Sequence, residues 1–321
     1  MKKIIILILL SNTISIFAQQ PEVSFKDLGF TKKVKKIETN SYSFEDKMVE
    51  DKSSDSYDLD ENGNIMHHEY HIFGKYASST SENSTYKNGV LVKREILVKN
   101  RPNFNAILTY EYDKAKNLIK KTYKSSQFKN DFLFSYDEKN RLTEIKGIYA
   151  NNYSVEKFHY HKGKLVKSVN QYFTAGNLVQ SETIKLYIDE EVVLEHYSKD
   201  KFFKAYVMNN KENLFLLINL PDLDKKISEI EMEIRYKKLN IERLKDWIMN
   251  DKNASYREIE AKEIFIKNAN NDWIVKADID NRFGENISYI FRKITYADGS
   301  VSGSTDFDIF TVNELKSNLH E

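Results

Sequence analysis

Phe134-Ser135-Tyr136-Asp137-Glu138-Lys139-Asn140-Arg141-Leu142-Thr143 is the stretch on which the reading of this chain turns. Phe134, Tyr136 and Leu142 are apolar or aromatic, with polar residues between them. Alternation with a period of two marks a strand with one buried face. Between Tyr136 and Leu142 stands a charged tetrapeptide closed by Asn140. Asn tolerates positive φ almost as Gly does, so it can take the left-handed position that closes a short loop. Asp137 can accept hydrogen bonds from loop amides, a local turn device. The stretch therefore reads as a β-hairpin.

The same pattern returns along the chain. Tyr112, Tyr136 and Tyr160 follow one another at intervals of 24 residues, and looser copies begin at Tyr57, Tyr86 and Tyr187. Gly63, Gly89 and Gly163 stand where Asn140 stands, and Asp113 repeats Asp137. A fixed period in this range marks a stacked repeat, each unit too small to bury its apolar face alone. The predicted fold class is mainly β: an elongated antiparallel β-meander of stacked hairpin repeats, with one long amphipathic helix toward the C-terminus. The helix is expected between 222 and 249, where Ile227, Ile230, Ile234, Ile241, Leu244 and Ile248 recur at three- and four-residue spacing after Pro221. Strand patterning resumes over 256–296, and Ala297-Asp298-Gly299-Ser300 reads as a turn.

The quoted stretch resembles the YD repeat of the Rhs and teneurin type, Tyr-x-Tyr-Asp-x-x-Gly-Arg-Leu-Thr, with Asn140 in place of the usual Gly. Tyr110-Glu111-Tyr112-Asp113 matches the start of the motif, and Asn271-Asp272-Trp273-Ile274-Val275-Lys276 is a further degenerate copy. The resemblance covers residues 55 to 200. It implies a β-hairpin array used in cell-surface or secreted interaction.

Residues 1–18 read as a secretory signal, with Lys2 and Lys3 before an apolar run from Ile4 to Leu10 and a small residue, Ala18, at the cut. Residues 19–220 are expected to form the hairpin array. Residues 221–299 are expected to form a helix and terminal hairpins that continue or cap the sheet, and 300–321 a polar, mobile tail. The predicted location is therefore exported: periplasmic, outer-surface or secreted, with no membrane span once the signal is cleaved. The chain has no cysteine, which excludes disulfides and thiolate metal sites. Charge is uneven: residues 86–170 hold 18 Lys and Arg against 8 Asp and Glu. Lysine on exposed strands discourages edge pairing, and that reading is preferred to a nucleic-acid surface.

Asp58, Asp60, Asn62 and Glu69 occupy the ligand spacing of a calcium-binding loop, with Gly63 at its glycine position. Such a loop needs a helix on each side, whereas this sequence offers strands, so calcium is the lesser reading. His67, Glu69 and His71 would share a strand face and could approach zinc, and His159 with His161 makes a weaker pair. There is no Gly-x-Ser-x-Gly, no phosphate-binding glycine loop and no His-Glu-x-x-His helix. The function expected is a noncatalytic scaffold binding a glycan or an envelope or extracellular protein, with Tyr112, Tyr136 and Tyr160 as candidate ligand-facing rings. The alternative is a glycan-active hydrolase using paired carboxylates on the sheet face.

Overall fold

The computed structural model describes residues 30, 32–45, 48–74, 77–188, 191–199, 202–209, 214–219, 223–236, 243, 255–280 and 286–317. The signal segment 1–18 and the second half of the expected helix, with Ile241, Leu244 and Ile248, lie outside them. The protein is mainly β, built as an antiparallel meander. The chain forms two compact units, one of residues up to 129 with 262–279 and 285–321, the other of 130–261 with 280–284. That partition cuts the expected 19–220 array after Lys129.

The first unit begins with β1 (Val34–Glu45), β2 (Met48–Leu59), β3 (Ile65–Ile72), β4 (Ser78–Lys87), β5 (Val90–Lys99), β6 (Ala106–Tyr112) and β7 (Leu118–Ser125). Each strand from β1 to β6 pairs antiparallel with its successor. The second unit holds β8 (Lys129–Tyr136), β9 (Leu142–Tyr149), β10 (Asn152–His161), β11 (Lys164–Phe173), β12 (Val179–Ile188), β13 (Glu191–Lys199), β14 (Phe202–Asn209) and β15 (Leu214–Asn219). These also pair in order. Helix α1 (Leu223–Tyr236) follows, then β16 (Ser255–Lys267), whose residues 255–260 pair with β15. β17 (Trp273–Asp280), β18 (Asn286–Tyr296), β19 (Val301–Ser302) and helix α2 (Ile309–Ser317) complete the chain. In the first unit β18 returns to pair with β1 along nearly its full length.

The repeat owes its form to one turn. Asp137 N–H donates to the Arg141 carbonyl and Asn140 N–H to the Asp137 carbonyl, while Asn140 sits at φ 64°. The Asp137 carboxylate accepts from Lys139 N–H (2.9 Å), Arg141 N–H (3.0 Å) and Arg141 Nε (2.7 Å). Asp113 does the same for Asn117, with Lys116 at φ 67°. The degenerate copy near 271 uses Asn268 in place of the aspartate and Asn271 at φ 64°.

Beyond each turn the returning strand carries one extra residue. Thr85 faces Lys93 but Tyr86 faces Leu91; Glu111 faces Lys120 but Tyr112 faces Leu118; His159 faces Lys167 but Tyr160 faces Leu165. A bulge interrupts the ladder and leaves backbone groups there without a strand partner. The next hairpin's tyrosine supplies one. Tyr86 donates to the Ile65 carbonyl (3.2 Å), Tyr112 to Leu91 (2.8 Å) and Tyr160 to Leu142 (2.9 Å). Leu91 and Leu142, whose carbonyls are used, are themselves nearly fully buried. In these three copies the tyrosine fastens its hairpin to the one before it; Tyr57 and Tyr187, which head looser copies, bond the side chains of Asp55 and Ser168 instead.

Residues after Ser300 depart from the expected polar, mobile tail. They form β19 and α2, and α2 buries Val312 and Leu315 completely against Tyr42, Val275, Ala277, Tyr289 and Phe291. Asp308 caps the helix, accepting from Phe310 N–H and Thr311 N–H. Ile309 and the preceding Phe307 pack against the same cluster and complete the docking of this nine-residue helix. Helix α1 in the second unit buries Ile227 and Ile230 and is tied to β11 by Lys167 and Glu231, 2.8 Å apart.

Tyr160→Phe and Tyr112→Phe should each lower stability by about 1 kcal/mol, the net worth of an ordinary hydrogen bond, with no change of fold. The Tyr289 hydroxyl, buried without a hydrogen-bond partner among the described residues, makes the opposite case. Tyr289→Phe should be neutral or stabilising, because it removes a desolvated polar group that gains nothing in the folded state. Urea unfolding of the three variants checks both statements.

Candidate functional site

The four residues at calcium-loop spacing fall in the β2–β3 hairpin. Asp60 heads its turn and accepts from Asn62 N–H (2.8 Å), Asn64 N–H (2.9 Å) and Asn64 Nδ2 (2.8 Å). Burial opposes ionisation of Asp60, but those donors outweigh it and hold the carboxyl below its ordinary range. Asp58 stands opposite His67, and Glu69 opposite Ser56. Strands flank the loop where a calcium loop of that type needs helices, and amide donors already occupy the Asp60 oxygens. His67 bonds Asn83 through Nδ1 (2.9 Å) and lies 3.3 Å from Glu69 through Nε2. Among the described residues no group of three or more His, Cys, Asp or Glu is disposed to hold a metal.

The tyrosines expected to face a ligand are half-buried. The hydroxyls of Tyr112 and Tyr160 are turned to the backbone of the preceding hairpin. The Tyr160 ring also lies under the Arg141 guanidinium, 4.6 Å from its centroid. Tyr136 faces Leu142 across the β8–β9 turn.

Two arrangements that the sequence did not single out stand out. One is a row of charge across the first unit. Tyr57 on β2, His68 on β3 and Glu82 on β4 are register partners in sequence, with Arg94 on β5 beside them. His68 Nε2 is 2.9 Å from Asp55 Oδ1, and its Nδ1 is 3.8 Å from Glu82 Oε2. Arg94 Nη1 reaches the same Glu82 oxygen at 3.1 Å. The Tyr57 ring stacks on His68, centroids 4.2 Å apart, and its hydroxyl donates to Asp55. Burial alone pulls the imidazole down, but Asp55 and Glu82 overcome it and push His68 up to about 9. Burial pushes Glu82 up, and the His68 hydrogen bond and the Arg94 charge bring it below its usual value. With a carboxylate at each ring nitrogen, His68 is an imidazolium fixed in place. It has no free lone pair with which to accept a proton, so the cluster is an internal ion network rather than a general base.

The other arrangement is apolar and open. On the second unit Ile148, Tyr153, Phe173 and Val179 are consecutive register partners across β9, β10, β11 and β12. Ile148 is 38% exposed, Val179 52%, and Leu178 beside it 71%. Tyr153 and Phe173 stack, centroids 4.5 Å apart and planes within 8°. The Lys146 ammonium lies 5.5 Å over the Tyr153 ring, and the Tyr153 hydroxyl bonds Asn177. Leu133, 38% exposed, faces Lys146 in the next row. Alternation along each strand was visible in the sequence; which of the two faces stays open was not.

No family model matches the chain, and no curated protein does. Among solved structures it is similar to a porin-like protein from Bacteroides uniformis, with 10% identity and a TM-score of 0.37 over 81% of this chain and 96% of that one. A porin-like protein from Bacteroides vulgatus gives 11% identity and a TM-score of 0.35 over 83% and 98%. A protein of unknown function from Bacteroides fragilis gives 20% identity and a TM-score of 0.12 over 43% and 87%. At these scores the likeness carries no argument about function. Among the described residues no helix is long and apolar enough to cross a membrane.

The ion network sets a pH profile. Because His68 is raised when folded, its contribution is complete below its ordinary value of 6.5 and is lost as pH climbs through about 9. Because Glu82 is lowered, its contribution is present above its ordinary value of 4.5 and is lost as pH falls. Stability from this cluster should peak between those two ordinary values. Its alkaline loss should be on the order of 2 kcal/mol, allowing for solvent screening of half-buried groups. Chemical denaturation across pH, on wild type and His68→Gln, checks this: the variant should lack the alkaline decline.

Proposed function

We propose that this chain is an exported, noncatalytic hairpin-repeat scaffold of the YD type, working in the cell envelope or exterior. It binds a protein or glycan partner through the open face of the second unit. The observation that carries the reading is the row Ile148–Tyr153–Phe173–Val179, with Leu178 and Leu133 beside it. Contiguous apolar surface of this kind, rimmed by polar groups, is characteristic of interaction sites. Export is supported by the first 18 residues.

A protein surface suits the patch better than a sugar does. Phe173 stacks on Tyr153 and Lys146 approaches the same ring, so the aromatic faces are engaged within the sheet. What the patch offers outward is aliphatic: Ile148, Leu178 and Val179. Meanwhile three kinds of polar group with catalytic potential are engaged internally. Turn aspartates hold amides, repeat tyrosines hold carbonyls and His68 is clamped between carboxylates. The alternative, a glycan-active hydrolase, draws on Glu263 and Asp278 in the first unit. Both bond Lys276, at 2.9 Å and 2.8 Å, and burial raises Asp278. Phe265 and Trp273 lie alongside, ring centroids 6.3 Å apart.

The test is capture from an envelope extract, with a glycan array in parallel, using wild type and the double variant Ile148→Glu/Val179→Glu. Binding of a protein partner should weaken by at least about tenfold in the variant, the loss expected when two apolar contacts are replaced by charge. Unchanged capture by the double variant would remove the patch from the reading. Glycan turnover abolished by Glu263→Gln or Asp278→Asn would establish the alternative instead.

A further inference from the structure

The chain contains three dipeptides whose second residue is Gly and whose first carries a side-chain carbonyl one bond from Cβ: Asn62–Gly63, Asn88–Gly89 and Asp298–Gly299. All three are hairpin tips with the glycine at positive φ. Such pairs share one chemistry. The glycine amide nitrogen can attack the side-chain carbonyl carbon of the preceding residue and close a five-membered imide, because glycine has no side chain to hinder the approach.

The fold treats the three differently. In two of them the nucleophilic amide is engaged. Gly63 N–H donates to the Asp60 carbonyl at 3.0 Å, and Gly299 N–H to the Tyr296 carbonyl at 3.0 Å. These are five-residue turns whose first residue accepts from the fourth. The β4–β5 hairpin is instead closed by two residues, Asn88 at φ 53° and Gly89 at φ 77°, between the register partners Lys87 and Val90. In a two-residue turn of this hand the cross-strand bonds belong to the flanking pair. Gly89 N–H makes no hydrogen bond among the described residues. Asn88 and Gly89 are exposed, and the space around a Cβ built on Gly89 is empty to 4 Å.

We propose that Asn88 is a site of spontaneous deamidation, faster than Asn62 because its neighbouring amide is free; Asp298 can only isomerise, its imide forming with loss of water. The Gly89 nitrogen loses its proton to solvent and bonds to Asn88 Cγ. The Cγ–Nδ2 bond breaks and ammonia leaves. Water then opens the imide at either carbonyl, giving aspartate or isoaspartate. No oxidant or cofactor enters the balance. The product adds a negative charge near Lys116, whose Nζ donates to the Asn88 carbonyl at 3.2 Å. Isoaspartate also adds a carbon to the main chain of a two-residue loop, the element that fixes the β4–β5 register.

The experiment incubates the intact folded chain in mildly alkaline buffer and follows the three peptides by mass and by isoaspartate-specific chromatography. A parallel sample is kept unfolded in guanidinium. In the folded protein Asn88 should convert at least about fivefold faster than Asn62, the factor that one ordinary hydrogen bond on the attacking amide imposes. In the unfolded sample the two Asn–Gly pairs should convert at similar rates, since their intrinsic chemistry is the same. Equal rates in the folded protein, or faster change at Asn62, would overturn the proposal. A folded-state ratio that persists unchanged in guanidinium would do so as well, because it would locate the cause in the sequence.

Discussion

The hydrogen bond from a repeat tyrosine to a main-chain carbonyl of the hairpin before it is the contact on which this architecture rests. A two-stranded unit on its own is marginal in water. Here, in the copies headed by Tyr86, Tyr112 and Tyr160, the tyrosine takes up a main-chain carbonyl beside the bulge of the hairpin before it. The same residue fills the space between successive hairpins with its ring, so a polar debt and an apolar gap are settled by one side chain. In Leu91, Leu108 and Tyr110, with Tyr86, Tyr112 and Leu118 packed around them, this produces a small core that repeats instead of a single large one.

Turn chemistry supports that contact from the other side. Asp137 gathers two loop amides and the Arg141 guanidinium, and Arg141 in turn lies over Tyr160. The turn of one copy thus orients a residue that covers the tyrosine of the next. Local sequence, hairpin geometry and inter-hairpin packing agree, which is the condition for a sequence to specify one structure. At the C-terminal copy the agreement is looser. There Arg292 Nε donates to the Trp273 carbonyl at 2.6 Å, and its guanidinium lies on the Trp273 ring, while Tyr296 bonds Asp272 instead. The role survives although the residue type has changed.

Much of this was legible beforehand because it is local. Asp137, Asn140 and the 24-residue spacing encode a turn, its left-handed residue and its recurrence without reference to anything distant. The acceptor of the tyrosine was not legible, because a backbone carbonyl leaves no mark on sequence. Nor was the Asp55–His68–Glu82–Arg94 network, which needs the register of four strands across bulges that shift it. The open patch failed to announce itself for a related reason. Ile148, Tyr153, Phe173 and Val179 alternate as any strand residues do, and only the tertiary arrangement decides which face stays uncovered. Helix α2 was missed because its nine residues are too short for a helical period to stand out, and the exposed Phe310 breaks the apolar stripe of Ile309, Val312 and Leu315.

The identity of that acceptor bears on how such a chain changes over generations. A tyrosine that reads the main chain of its neighbour is indifferent to the neighbour's side chains. Whole copies can be duplicated or lost without compensating substitutions, and inner residues can drift independently so long as ring, bend and bulge persist. Wide divergence at constant architecture is the natural history this fastening permits.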